Sequence, residues 1–267
     1  MSYYDLSSLD VTVAALLILI NGAISSALGL GLEKRLLIAA VRTVVQLLLL
    51  GYVLKWIFGA SHWLAIVGMM LAMSAIAGVS AVRRTERRYP GVWLTSMTAV
   101  MASSWIVLGV ALTGVISPAV WSSNPAQYAI PLMGMILGNT LNGISLGLDR
   151  LTQELTAHRP EVEMRLCLGA NRWEAARPFI ANSIRTGMVP IINSMMVVGL
   201  VSLPGMMTGQ ILAGAEPMAA VRYQIVIMFL IAAGAALGTT MAVLLGYRRL
   251  FNRSHQFLSG TIRKVKT

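Results

Sequence analysis

"VGMMLAMSAIAGVSAVRRTERR" (residues 67–88) decides the fold class. Its first sixteen residues carry no charge, and its last six hold Arg83, Arg84, Arg87 and Arg88. A long apolar run closed by arginines is the pattern of a helix that crosses hydrocarbon and stops at a headgroup surface. The run starts near residue 62, and at ~1.5 Å per residue it spans the ~30 Å of a bilayer core.

The pattern repeats on both sides. Apolar segments occupy roughly 9–30, 36–58, 62–82, 92–116, 128–148, 188–211 and 219–247. Hydrophobic residues make up 57% of the chain and charged residues 12%, with a mean hydropathy of +0.73. Soluble domains carry roughly 25% charged residues. The composition therefore predicts an all-α, polytopic membrane protein with about seven transmembrane helices. It forms one transmembrane domain over residues 1–267.

Basic residues set the orientation. All of the 21 lysines and arginines except Arg42, Lys55 and Arg222 fall on one side of these segments. They follow segment 1, follow segment 3, lie between segments 5 and 6, or end the chain. By the positive-inside rule that side is cytoplasmic, so the N-terminus is outside and the basic tail 248–267 is inside. The net charge of +11 is thus topological, and nucleic-acid binding is not expected. The start "MSYYDLSSLD", with Asp5 and Asp10, does not read as a cleaved signal peptide. A single cysteine, Cys167, excludes an internal disulfide; it reads as a buried small residue.

Catalytic motifs are absent. There is no phosphate-binding G-x-x-x-x-G-K-[ST] loop, no G-x-S-x-G elbow and no H-E-x-x-H. His62, His158 and His255 fall on separate loops and tails. No carboxylate lies mid-membrane, which weakens a proton-coupled carrier. The chain is not expected to be an enzyme, nor to bind a cofactor itself.

The cytoplasmic segment 149–187 is longer than a connector needs to be. It contains "LCLGANRWEAARPFIANS" (166–183), amphipathic and broken by Pro160 and Gly169 into short helices. Glu163 and Gly169 stand six residues apart, followed by Leu168-Gly169-Ala170 and Trp173. This spacing resembles the coupling loop by which ABC importer-type permeases dock onto their ATPase. The usual "EAA" start here reads Glu163-Met164-Arg165, and the "I-x-L-P" ending reads Phe179-Ile180-Ala181-Asn182. Trp173 fits a docking anchor, Gly169 a sharp turn, and Arg172 and Glu174 steering charges. An interfacial helix lying on lipid is the alternative.

Three further stretches extend the likeness: "RTVVQLLLLGYVLKWIF" (42–58), "PLMGMILGNTLNGISLGLDRL" (131–151) and "VGLVSLPGMMTGQILAGAEPMAAVRYQIVIMF" (198–229). Over about 33–251 the chain resembles the FetB-type permease subunit of the iron-export ABC transporter family, to which plant aluminium-tolerance permeases are related. The resemblance implies a homodimer in the bacterial inner membrane with two copies of a separate ATPase. ATP and Mg²⁺ would belong to that partner. It implies iron export, with 149–187 as the coupling segment. Export of a nucleotide sugar or other anion, and a non-transporting scaffold, remain the alternatives.

Candidate path residues lie in three segments. Pro204-Gly205 is expected to break segment 6 and free carbonyls near 200–201, beside Met206, Met207 and Gln210. The thioethers suit a soft metal, or else fill gaps. Segment 5 carries Gly134, Gly138, Gly143 and Gly147, which permit close helix approach, and Asn139 and Asn142 on one face. Arg42 and Gln46 pair at i, i+4; Arg42 lies ~9 Å into its segment and either snorkels to the interface or faces an anionic cargo. Glu216 either meets a departing cation, pairs with Arg222, or is solvated.

Overall fold

The computed structural model describes residues 8–60, 62–252 and 254–265. Asp5, Ser61, Arg253 and Lys266 lie outside the described residues. The described chain is all-α apart from one two-stranded ladder, and it divides into two compact units at His62/Trp63.

The N-terminal unit is a pair of helices, α1 (Ser8–Ala27) and α2 (Glu33–Ala60). Gly29 and Gly31, both with positive φ, turn the chain between them. Ser25 Oγ accepts from Leu32 N at 2.9 Å and donates to Glu33 Oε2 at 3.1 Å, so the turn is tied by side chain as well as backbone. The carboxylate of Glu33 also sits at the positive end of α2. Leu47, Leu48, Leu49 and Trp56 are all exposed, as side chains facing lipid should be.

The second unit contains α3 (Trp63–Arg83), α4 (Val92–Val110, continued by a π-helical turn at Ala111–Val115) and the short α5 (Pro118–Trp121). Then follow α6 (Pro125–Ala157), α7 (Arg159–Cys167), α8 (Arg172–Val197), α9 (Gly205–Leu212) and α10 (Pro217–Leu250). Five described helices, α2, α3, α4 with its π turn, α6 and α10, are long and apolar enough to cross a membrane. Thr12–Ala27 of α1 is a shorter apolar stretch.

The sixth apolar segment differs from its sequence reading. Residues 188–197 are the second half of α8, which begins at Arg172 within the polar segment. That helix ends at Val197, before the proline. Gly199 adopts a φ of 81° and its N–H bonds Ser202 O at 2.9 Å, closing a tight loop. Pro204 is therefore not a kink inside a helix. It is the residue before α9, where a missing N–H costs nothing.

The core lies where α6, α8 and α10 cross. A Cβ on Gly187 would lie 2.6 Å from the Gly143 carbonyl and 2.5 Å from Thr239 Cγ2. Gly143 and Gly147 thus do what small residues at four-residue spacing are expected to do. Gly138 does not, since nothing lies within 4 Å of its would-be Cβ.

The basic clusters of the second unit share one end. β1 (Arg87–Arg88) pairs antiparallel with β2 (Arg263–Lys264), so the tail lies on the α3–α4 loop. Glu86 N donates to Asp149 Oδ1 of α6 at 2.9 Å. Burial pushes the Tyr89 hydroxyl up to about 12 against the opposing pull of Arg249, so it stays neutral beneath the arginines.

Candidate functional site

Two places in the second unit gather the residues singled out by sequence, one at each end of α8.

The first is the α7–α8 turn. Helix α7 stops because Gly169, at a φ of 92°, reverses the chain: its N–H bonds Leu166 O at 3.1 Å, and Ala170 N bonds Arg165 O at 3.0 Å. Helix α8 starts with a capping box. Asn171 Oδ1 accepts from Trp173 N and Glu174 N at 2.9 and 3.0 Å, while Glu174 Oε2 accepts from Asn171 N at 2.8 Å. The remaining early N–H, that of Arg172, donates to His255 Nδ1 at 3.0 Å, and Arg172 Nη1 reaches Asn252 O at 3.3 Å. His255 itself has a φ of 60°, a conformation that a non-glycine residue holds only when its surroundings fix it.

These contacts alter several assignments. Glu174 is committed to the cap rather than free to steer a partner. Glu163 is paired with Arg159 at 2.6 Å. Trp173 stands edge-on to Tyr247 of α10 at 5.7 Å between ring centroids, so it is half engaged within the chain. The apolar groups turned outward are instead Leu168, 81% exposed, and Met164. Cys167 is exposed, not buried, because it sits on the outer side of the last turn of α7. Together with Glu163, Leu166 and the tail residues His255 and Phe257 it lines a cleft of about 570 Å³.

The second place surrounds the break between α8 and α9. Two cavities, of about 480 and 190 Å³, share Pro204, Gln224 and Met228 as walls. The larger is apolar, with Met195, Met207 and Phe229 among its lining. The smaller adds Met135, Asn139, Ser194, Gly205 and Met206. Asn139 donates to the Met135 carbonyl at 3.1 Å, leaving Oδ1 as its acceptor. Gln224 is buried and its Oε1 has no hydrogen-bond partner; Gln210 Oε1 is likewise buried and unpartnered. Such an oxygen carries a desolvation cost that nothing in the chain offsets.

Asn142 lies apart from the cavities, held by Arg84 at 2.5 Å. Glu216 caps α10, its two oxygens accepting from Met218 N and Ala219 N at 2.9 and 2.7 Å, and no ion pair joins it to Arg222 among the described residues. Arg42 and Gln46 are exposed side chains of α2 in the N-terminal unit. Sequence reasoning missed Asn171, although N-x-x-E ahead of a helix is a capping signature. It also missed Gln224, an amide inside the apolar run "RYQIVIMF", together with Ser194, Met195 and Met228.

The chain matches, over residues 8–251, the model of an uncharacterised protein family, UPF0014. It belongs to the UPF0014 family. A UPF0014 membrane protein of Synechocystis is 42% identical over 230 residues, 86% of this chain and 88% of that one. The Escherichia coli protein named "Probable iron export permease protein FetB" is 33% identical over 265 residues, 99% of this chain and all of its own length. The Arabidopsis protein ALUMINUM SENSITIVE 3 is 27% identical over 243 residues, 91% and 87% of the two chains. No solved structure matches. Family membership and the apolar helices together make this a multi-pass membrane protein.

Proposed function

We propose that the chain is the membrane-spanning subunit of an ATP-driven exporter of a metal ion, iron being the cargo, with hydrolysis in a separate ATPase subunit. The observation that carries this reading is the α7–α8 turn. Leu168 and Met164 project apolar surface from the basic end of the second unit, outside any span, on a rigidly capped reversal. An apolar tip at a water-facing end fits a groove on a soluble partner. The end-to-end likeness to the FetB protein favours iron and export.

By the positive-inside rule the basic end is cytoplasmic. Two copies of the chain would pair with two ATPase subunits in the bacterial inner membrane. Closure of the ATPase pair would push on the turn, and α8 would carry the displacement to the break at Val197. The 149–187 stretch would then act through its middle, since its two flanks are parts of α6 and α8.

The test is total cellular metal by mass spectrometry, with and without the gene, after iron loading and a peroxide challenge. Excess iron in the deletion strain should be reversed by the wild-type gene and not by Leu168→Asp. Unchanged iron in the deletion strain, or full rescue by Leu168→Asp, would sink the reading.

A further inference from the structure

The geometry points to a binding site for a soft, singly charged metal ion, of the Cu(I) class, in the smaller cavity beside the α8–α9 break. The inference goes beyond the iron reading and rests on the donor set alone.

Six side chains supply the donors or shape the wall: the thioethers of Met135, Met206 and Met228, the amides of Asn139 and Gln224, and the hydroxyl of Ser194. They come from α6, α8, α9 and α10, so the site exists only once the four helices are assembled. Three methionines surround this cavity of about 190 Å³ rather than closing it, which is not how methionine behaves as a gap filler. Gln224 lines both cavities, but its partnerless Oε1 has no accessible surface there, so the candidate donors are the three thioethers, Asn139 and Ser194. Soft thioethers bind Cu(I) or Ag(I) in preference to oxygen-seeking cations.

Charge narrows the choice further. No carboxylate, histidine or cysteine lines the cavity, and no group of three such residues stands together among the described residues. Helix α9 begins at Gly205 on the same wall, adding partial positive charge. The cost of taking an ion out of water rises with the square of its charge, and nothing here repays it for a di- or trivalent ion. Iron and aluminium ions, which favour oxygen and nitrogen ligands, are poorly served by this wall. A monovalent ion that needs two or three thioethers is well served.

The measurement is anaerobic competition for Cu(I) between the purified full chain in lipid nanodiscs and a chromophoric Cu(I) chelator, with Fe(II) and an iron chelator run in parallel. Wild-type protein should withdraw a single equivalent of Cu(I) and retain no Fe(II). Met206→Leu/Met228→Leu conserves volume and should keep the fold, checked by circular dichroism and elution, while weakening Cu(I) binding roughly 10- to 100-fold. Met196→Leu, at an exposed position outside the cavity, should change nothing.

Failure to withdraw Cu(I), equal binding by the folded double variant, or Fe(II) retention matching Cu(I) would each overturn the site. The two readings separate cleanly. Iron export retained in a folded chain that does not bind Cu(I) removes this site alone. Cu(I) binding without any effect of the gene on cellular iron removes the iron cargo alone.

Discussion

The two ends of α8 are built by opposite rules. At Arg172 every early backbone N–H from Asn171 to Glu174 has a partner, one of them supplied by the C-terminal tail. At Val197 the helix runs out into a loop where Leu200 and Val201 are 87% and 85% exposed and cavities open on both flanks. Between them, Gly187 is pressed against α6 and α10 with no room for a methyl group. Backbone N–H groups are satisfied at both ends, those of Val198 to Ser202 included, but the Arg172 end is held by side chains and the tail, and the Val197 end by its own backbone. The comparison teaches that the polar half of α8 is the structural half, although composition suggests the reverse.

The comparison can be broken hardest at the crossing. Gly187→Ala should destabilise the detergent-solubilised protein by about 1–3 kcal/mol or more through overpacking, read as a lower midpoint for loss of the monodisperse peak on heating. Gly138→Ala, with nothing within 4 Å, should stay within about 0.5 kcal/mol. Equal effects at the two glycines would show that α8 is not wedged there.

Next in size is Gly169→Val. Space is not the obstacle, because nothing lies within 4 Å of the added Cβ; the positive φ is, at a cost of roughly 1–2 kcal/mol. The protein should still insert and fold while metal export falls, and Gly169→Asn, which tolerates that conformation, should restore much of it. Smaller again, Asn171→Ala should cost about 1 kcal/mol by removing the cap, measured by thermal or denaturant unfolding. The least effect on stability belongs to Gln224→Leu. Replacing a buried amide whose oxygen has no partner should be neutral or mildly stabilising, and a loss of more than about 1 kcal/mol would mean that the oxygen is satisfied after all.

Most of the helical framework was legible because solubility in lipid is a property of local composition. The apolar runs near 36–58, 62–82, 92–116 and 219–247 reappear within a few residues as α2, α3, α4 with its π turn, and α10. The same reasoning hid α8. Its first half, "RWEAARPFIANSIRTG", carries four charges, so a search for apolar runs starts at 188 and takes one helix for a short amphipathic helix followed by a separate span. The turn at Gly169 was readable from glycine after an amphipathic stretch. The break was assigned to Pro204 when Gly199 carries the unusual backbone angle, since proline is the louder signal in a sequence. The cavities could not be read at all. Met135, Met206 and Gln224 become neighbours only through tertiary packing, and no spacing along the chain encodes that.

The tight contact at Gly187 has a mechanical consequence. It lies fifteen residues from the start of α8 and ten from its end, arms of roughly 22 and 15 Å at ~1.5 Å per residue. Pro178 and Pro190 each remove a backbone donor, one on each arm, so the contact is a fixed point between the two places where the helix bends most easily.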